Sequence, residues 1–187
     1  MEEKCKQKPS DIIKIVLFGP ESTGKTTLAQ QLGHHYNTVW VPEYARTYLQ
    51  DKWDREHKIC ETRDLMPIAR GQMKSENELT EKANKILFCD TDLLETKVYS
   101  ETYFGGYCPP QLEKCVLQNT YDLYFLAQID VPWIADDLRD KPNERALMFS
   151  HFRAALEKYN RNFVVLKGNQ KLRLATAIQH IDNLLNP

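Results

Sequence analysis

The chain has 187 residues, of which 42% are hydrophobic and 27% are charged, and its formal net charge is −1. These values are typical of one globular domain with a sizeable core, and they give no overall attraction to nucleic acid or to an anionic membrane. No apolar run approaches the roughly 20 residues of a membrane-spanning helix. Five cysteines without a C-x-x-C pair favour reduced thiols, so we expect a cytoplasmic protein.

The predicted elements alternate strand and helix along most of the chain. Residues 1–11 are polar and are predicted to form a disordered lead-in, and residues 12–187 are predicted to form a single domain. Apolar runs predict five strands, and segments with helical spacing or helix-start signals lie between them. The strands are expected at 12–18, 38–41, 86–90, 121–129 and 163–168. The helices are expected at 25–36, 63–85 (one or two helices), 93–104, 110–118, 143–159 (with Asn143 as the cap) and 169–185. This alternation predicts an α/β fold, a parallel sheet covered on both faces.

The segment GPESTGKTT follows the first predicted strand and opens the next helix. It matches G-x-x-x-x-G-K-[ST] at every fixed position, a pattern whose glycines let successive backbone N–H groups point at phosphate oxygens. Lys25 is expected to reach the β- and γ-phosphates of ATP, and the Thr26 hydroxyl to bind Mg²⁺. The predicted nucleotide-binding residues are Gly19, Glu21, Ser22, Thr23, Gly24, Lys25, Thr26 and Thr27.

Two classes of P-loop protein fit the sequence poorly. A switching GTPase would carry a D-x-x-G turn, and no glycine here has an aspartate three residues before it. Motor and transport ATPases usually end the third strand in Asp-Glu, whereas Asp90 is followed by Thr91. Asp90 lies at the carboxyl end of a predicted buried strand, where open α/β sheets bind ligands, and it is predicted to complete the Mg²⁺ site; a turn aspartate is the alternative.

A small-molecule kinase also needs a base beside the acceptor hydroxyl. Glu43 follows the second predicted strand and therefore faces the same edge as the P-loop; the alternative is a carboxylate that favours a helix start. Arg46, three residues later, could bind a phosphate or pair with Glu43. Asp92 could hold sugar hydroxyls or serve as the base instead, or it could cap the helix that begins at Leu93.

The polar stretch after the fourth strand, DVPWIADDLRDKPNER, has the composition of a mobile lid. Arg139 and Arg145 are predicted to close over the phosphates as catalytic residues, although a solvated surface is the plainer interpretation. Trp133 is predicted to stack on the acceptor's ring, with Tyr103 as the second choice; both could equally be packing residues.

Together, GPESTGKTTLAQQL, VPEYAR, IARGQ, DTDLLETKVYSETYFG and DVPWIADDLRD resemble the ribosylnicotinamide kinase domain of NadR-type bacterial proteins, over residues 12–152. The resemblance implies a nucleoside monophosphate kinase-like fold with strand order 2-3-1-4-5, helices on both faces and a lid. It also implies ATP-dependent phosphorylation of the 5′-hydroxyl of nicotinamide riboside to nicotinamide mononucleotide. The sequence has no H-x-G-H-type motif, so adenylyltransferase activity is not expected. A kinase of another nucleoside, or a P-loop ATPase or regulatory ATP-binding protein, is the alternative.

Overall fold

The structure is a computed structural model that describes residues 5–139 and 143–186. Its strands are β1 (Ile13–Phe18), β2 (Trp40–Val41), β3 (Ile86–Asp90), β4 (Leu123–Ala127) and β5 (Phe163–Leu166). Its helices are α1 (Lys25–His35), α2 (Tyr44–Glu56), α3 (Leu65–Thr80), α4 (Leu93–Tyr103), α5 (Pro110–Gln118), α6 (Arg145–Lys158) and α7 (Gln170–Leu185), and a 3₁₀ turn at Thr62–Asp64 leads into α3.

The five strands form one parallel sheet in the order β2-β3-β1-β4-β5. The predicted fold is therefore confirmed. Strand β1 lies in the centre, where Leu17 is level with Asp90 of β3 and with Phe125 of β4. After β1 the chain crosses to β2 on one side of the sheet, and after β3 it crosses to β4 on the other side. The loops that follow the neighbouring strands β1 and β3 therefore diverge and leave a crevice at the carboxyl edge of the sheet.

A hydrophobic core lies on each face of the sheet. Alternate residues of β1 contribute to the two cores, because successive side chains of a strand point to opposite faces. Ile15 and Leu17 pack with residues of α1 and α7. Val16 and Phe18 pack with residues of α3, α4, α5 and α6. The sheet is thus covered on both faces, and the whole of β1, β3 and β4 apart from Ile13 is buried.

Three local expectations differ from the structure. Strand β2 is only two residues long, and the segment predicted as one or two helices over 63–85 is helical only as far as Thr80. Helix α6 begins at Arg145 with Glu144 as its N-cap, so Asn143 is not the cap. Residues 140–142 of the predicted lid lie outside the described residues.

Part of the lead-in predicted to be disordered is held against the domain: Cys5 is buried, whereas Lys6 and residues 8–11 are exposed. The Cys5 side chain is 2% exposed, and its carbonyl accepts a hydrogen bond from the Asn119 amide at 3.1 Å. Gln7 donates its backbone N–H to Asn119 Oδ1 at 3.1 Å and its side-chain amide to Glu76 at 2.8 Å. Polar residues here find fixed partners on α3 and after α5, which composition alone does not indicate. Residues 1–4 lie outside the described residues.

Among the described residues, no helix combines the length and the apolar character needed to cross a bilayer. All five cysteines are free thiols.

Candidate active site

The loop between β1 and α1 adopts a conformation that its glycines permit. Gly19 has φ +131° and Gly24 has φ +82°, values that residues with a Cβ rarely adopt. A Cβ on Gly19 would also lie 3.1 Å from the Ala127 carbonyl oxygen at the end of β4. Gly24 is the N-cap of α1, so the loop delivers the chain directly to a helix N-terminus, the part of a helix that attracts phosphate.

Lys25 is buried at the first position of α1. Its ammonium donates to the carbonyls of Gly19 at 2.6 Å and Pro20 at 3.0 Å, and it lies 3.2 Å from Glu95 Oε1. Burial lowers the pKa of Lys25, but the carboxylates of Glu95, Glu43 and Asp90 outweigh that effect and raise it. Lys25 therefore stays charged inside the site.

Three carboxylates share this one ammonium. Burial is the largest cause that raises the pKa values of Glu43, Asp90 and Glu95, and mutual repulsion raises those of Glu43 and Glu95 further. The attraction of Lys25 lowers all three but does not compensate. Perturbed pKa values of this kind cluster at functional sites, and Glu43 and Glu95 both line the cavity described below.

Thr26 and Asp90 face each other across the crevice. The Thr26 hydroxyl donates to Asp90 Oδ2 at 2.5 Å. The other oxygen, Asp90 Oδ1, is buried without a hydrogen-bond partner. One hydroxyl and one carboxylate oxygen with spare acceptor capacity suit Mg²⁺, which takes few protein ligands and completes its shell with water and phosphate. The residues present therefore fit the ion.

One cavity of about 330 Å³ extends from the P-loop into the space between α2, α3 and α4. Its P-loop end is polar. Its far end is mostly apolar and aromatic. The residues that line it are Glu21–Thr27, Glu43, Ala45, Arg46, Leu49, Lys58–Cys60, Leu65, Ile68, Thr91, Glu95, Thr96, Tyr99, Ser100, Tyr103, Phe104 and Asp137–Arg139.

Glu43 and Arg46 both line the cavity, at the start of α2. Glu43 is the N-cap residue and makes no side-chain capping hydrogen bond, so its carboxylate is not engaged by the first N–H groups of α2. Arg46 donates to Asp136 Oδ2 at 2.5 Å. Arg139, which also lines the cavity, has its Nε 3.1 Å from the same oxygen. Asp136 thus joins the predicted lid to α2.

Asp92 lies outside the cavity lining, contrary to the prediction of a catalytic or sugar-binding role. One carboxylate oxygen accepts the Glu95 N–H at 3.0 Å and caps α4, and the other accepts the Tyr124 hydroxyl at 2.7 Å. The side chain is 2% exposed. Asp92 is therefore the helix cap that the sequence analysis named as the alternative.

Two further predictions are also corrected by the geometry. Arg145 donates to the backbone carbonyls of Val131 at 2.9 Å and Ser22 at 3.3 Å, so it holds the back of the P-loop and lies outside the cavity lining. Burial lowers its pKa. The Trp133 indole donates to Glu21 at 3.3 Å and likewise lies outside the cavity lining. Tyr103, the second choice for ring stacking, does line it and is 39% exposed.

Three residues at the site were not assigned to it from the sequence, although Tyr99 was one of the aromatic residues, packing residues by default, that could line the acceptor pocket. Glu95 lines the cavity and accepts the Gly19 N–H at 3.2 Å. Tyr99 lines its aromatic end, and its ring centroid lies 6.1 Å from that of Tyr103. Asp136 connects the two arginines. The helical spacing of Glu95, Tyr99 and Tyr103, four residues apart on one face of α4, is the signal that could have found the first two.

Comparison with known proteins places the chain in a family. The AAA domain matches residues 14–173. The trifunctional NAD biosynthesis/regulator protein NadR of Salmonella typhimurium is 30% identical over 132 residues, which are 71% of this chain and 32% of NadR. The chain therefore spans about a third of the length of the curated relatives it matches. The resemblance to NadR found in the sequence is confirmed.

Solved structures share the fold. NadR in complex with NR superposes with a TM-score of 0.79 at 23% identity, over 92% of this chain and 51% of the NadR chain. NadR in complex with NAD and AMP-PNP gives 0.75 at 23% identity, over 92% and 49%. Deoxyadenosine kinase from M. mycoides with bound dCTP gives 0.61 at 11% identity, over 91% and 100%. At these identities the likeness establishes the architecture.

Proposed function

The chain belongs to the AAA domain family of P-loop proteins, and from that premise we propose that it is an ATP-dependent nucleoside kinase. The acceptor we propose is nicotinamide riboside, phosphorylated on its 5′-hydroxyl to give nicotinamide mononucleotide. The observation that carries the proposal is the single cavity that joins the P-loop to an apolar and aromatic end, with Glu43 among its lining residues. A site for ATP hydrolysis alone has no use for that second compartment.

At the P-loop end, Lys25 is the charged group nearest the expected phosphates. Backbone N–H groups of the loop and the start of α1 bind the phosphate oxygens, and Lys25 stabilises charge on the phosphoryl group during transfer. Thr26 and Asp90 would hold Mg²⁺, which supplies positive charge at the phosphate oxygens when bound. The binding of AMP-PNP by NadR supports ATP as the donor.

At the acceptor end, Glu43 is the candidate general base. As the acceptor's 5′-oxygen forms its bond to phosphorus, its proton passes to the Glu43 carboxylate and ADP leaves. The raised pKa of Glu43, caused chiefly by burial, makes it a stronger base than an exposed glutamate. Arg46 and Arg139 lie on either side of Asp136, from where they can contact the transferred group when the lid closes.

The charges favour a riboside over a nucleotide acceptor. In the described part of the cavity each lining cation has a carboxylate partner: Lys25 with Glu95, Arg46 and Arg139 with Asp136, and Lys58 with Glu56. An acceptor phosphate would find none of these cations unpaired, and Lys25, Arg46 and Arg139 are already assigned to the phosphates of ATP and to the transferred group. A pyridinium ring needs no such cation, and stacking on Tyr103 adds on the order of 0.5–2 kcal/mol. The NR complex of NadR supports this choice.

The test is a panel of nucleosides with ATP and Mg²⁺, with ADP and the phosphorylated nucleoside both measured. We expect ADP release to be slow without an acceptor and to rise most with nicotinamide riboside, above uridine and adenosine. Phosphorylation of another nucleoside alone would refute the acceptor and leave the kinase. Fast hydrolysis that no nucleoside changes would instead support the ATPase alternative.

A further inference from the structure

Gly71 lies in the middle of α3, a 16-residue helix. Glycine is unfavourable inside a helix because its backbone loses more conformational freedom on folding than that of other residues. The close neighbour of Gly71 is the ring of Tyr44, the first residue of α2. A Cβ at position 71 would lie 2.1 Å from Tyr44 Cε1 and 2.3 Å from Cζ. The ring therefore rests directly on the backbone of α3, in space that any larger residue would occupy.

The backbone of Tyr44 is fixed to the same helix. Its N–H donates to Gln72 Oε1 at 2.8 Å, and Gln72 is 2% exposed. Helix α3 is itself held in the core through Ala69 and Met73, which are both fully buried. The first residue of α2 is thus attached to a rigid element by its ring and by its N–H.

We infer that Gly71 and Gln72 are positioning residues for the acceptor side of the active site. Glu43 immediately precedes Tyr44, and Arg46 follows it by two residues; both line the cavity. A shift of Tyr44 moves the start of α2 and both of these side chains, while the P-loop, which is carried by β1 and α1, keeps its place. The inference rests on the proposed function, because it concerns the geometry of the proposed base.

Gly71→Ala tests this geometry. We expect kcat to fall by up to about 100-fold, the cost of misplacing a reacting group by an ångström, with the KM for ATP nearly unchanged. A merely structural role predicts the opposite pattern, a lower thermal midpoint with normal kcat in the folded fraction. Lys74→Ala, on the exposed side of the same helix, is the matched control and should behave as wild type.

The contact is isolated by repeating the change in a Tyr44→Ala background. Without the ring, adding Gly71→Ala should leave kcat equal to that of Tyr44→Ala alone. It should raise the thermal midpoint, because alanine is the better helix former. Tyr44→Phe keeps the ring and should leave Gly71→Ala as harmful as before. Equal losses of kcat in both backgrounds, or a Gly71→Ala enzyme with wild-type kcat, would overturn the inference.

If Gly71→Ala cannot be purified in a folded form, Gln72→Met tests the positioning role instead. It removes the acceptor of the Tyr44 N–H without adding bulk at position 71, and it should lower kcat with little change in the KM for ATP. Wild-type kcat would overturn the inference.

Glu43→Gln distinguishes a failure of this inference from a failure of the proposed function on which it rests. If that variant keeps full turnover, Glu43 is not the base and the proposed function fails there. If Glu43→Gln is impaired while Gly71→Ala and Gln72→Met are not, only the positioning role fails.

Discussion

Asp92→Asn distinguishes a helix cap from a substrate-binding residue, and its effect can be worked out from the structure. Burial raises the pKa of Asp92 from 3.8 to about 6, against the opposing hydrogen bonds from Tyr124 and the Glu95 amide. The folded protein therefore binds this proton more tightly than the unfolded chain does. The stabilising contribution is complete below pH 3.8 and is lost as the pH rises through 6.

The size of this effect follows from the two pKa values. They differ by about 2.2, and each pKa unit corresponds to about 1.36 kcal/mol. The free energy of unfolding of the wild type should therefore fall by about 3 kcal/mol as Asp92 loses its proton. Asparagine stays neutral, can accept the Glu95 N–H, and can donate to the Tyr124 oxygen. The variant should therefore gain about 3 kcal/mol relative to wild type between about pH 3.5 and about pH 7.

The measurement is urea unfolding of both proteins across that pH range, with Asp51→Asn, an exposed carboxylate on α2, as the control whose curve should run parallel to wild type. Kinase turnover and the KM for the riboside should be unchanged in Asp92→Asn. The reasoning would be refuted if Asp92→Asn raised the KM for the riboside and its stability differed from that of wild type by the same amount at every pH. Asp92 would then be a sugar-binding residue.

Further predictions concern the proposed chemistry. Lys25→Ala should lower kcat by about 10²–10³-fold, as loss of a preorganised charge does, and unchanged turnover would remove Lys25 from the site. Because only the Glu43 carboxylate accepts a proton, kcat/KM should fall as the pH drops through its raised pKa, so the acid limb should lie above the ordinary glutamate value of 4.5 and be absent in Glu43→Gln. Arg139→Ala should lower kcat at an unchanged thermal midpoint, whereas Arg145→Ala should cost about 1–3 kcal/mol of stability because it leaves backbone carbonyls unpaired; the reverse pattern would contradict both roles. Tyr103→Ala should raise the KM for the riboside about 2- to 30-fold and leave that for ATP unchanged, and equal changes in both would exclude stacking.

The features that depend on short stretches of chain could be predicted from the amino-acid sequence. The buried run of β1, the glycine spacing from Gly19 to Gly24 and the apolar strand that ends at Asp90 each identify their own structure, because a strand, a turn and a helix start are set by neighbouring residues. Their convergence at one edge followed from the parallel sheet. Glu43 and Arg46 were found for the same reason, since the residues after β2 reach that edge too.

Which side chains near that edge face the cavity could not be predicted, because it depends on contacts between segments that are distant in the chain. Asp92 and Glu95 are three residues apart and chemically alike, yet one turns inward to cap α4 and the other lines the cavity. Trp133 is held against Glu21 rather than at the acceptor end, and the lead-in from Cys5 is fixed by Asn119. Gly71 has no local sequence reason to be a glycine, because its reason is the ring of Tyr44, 27 residues earlier in the chain. Such contacts join segments that no local pattern relates, and they are settled by packing once the sheet has brought the helices together.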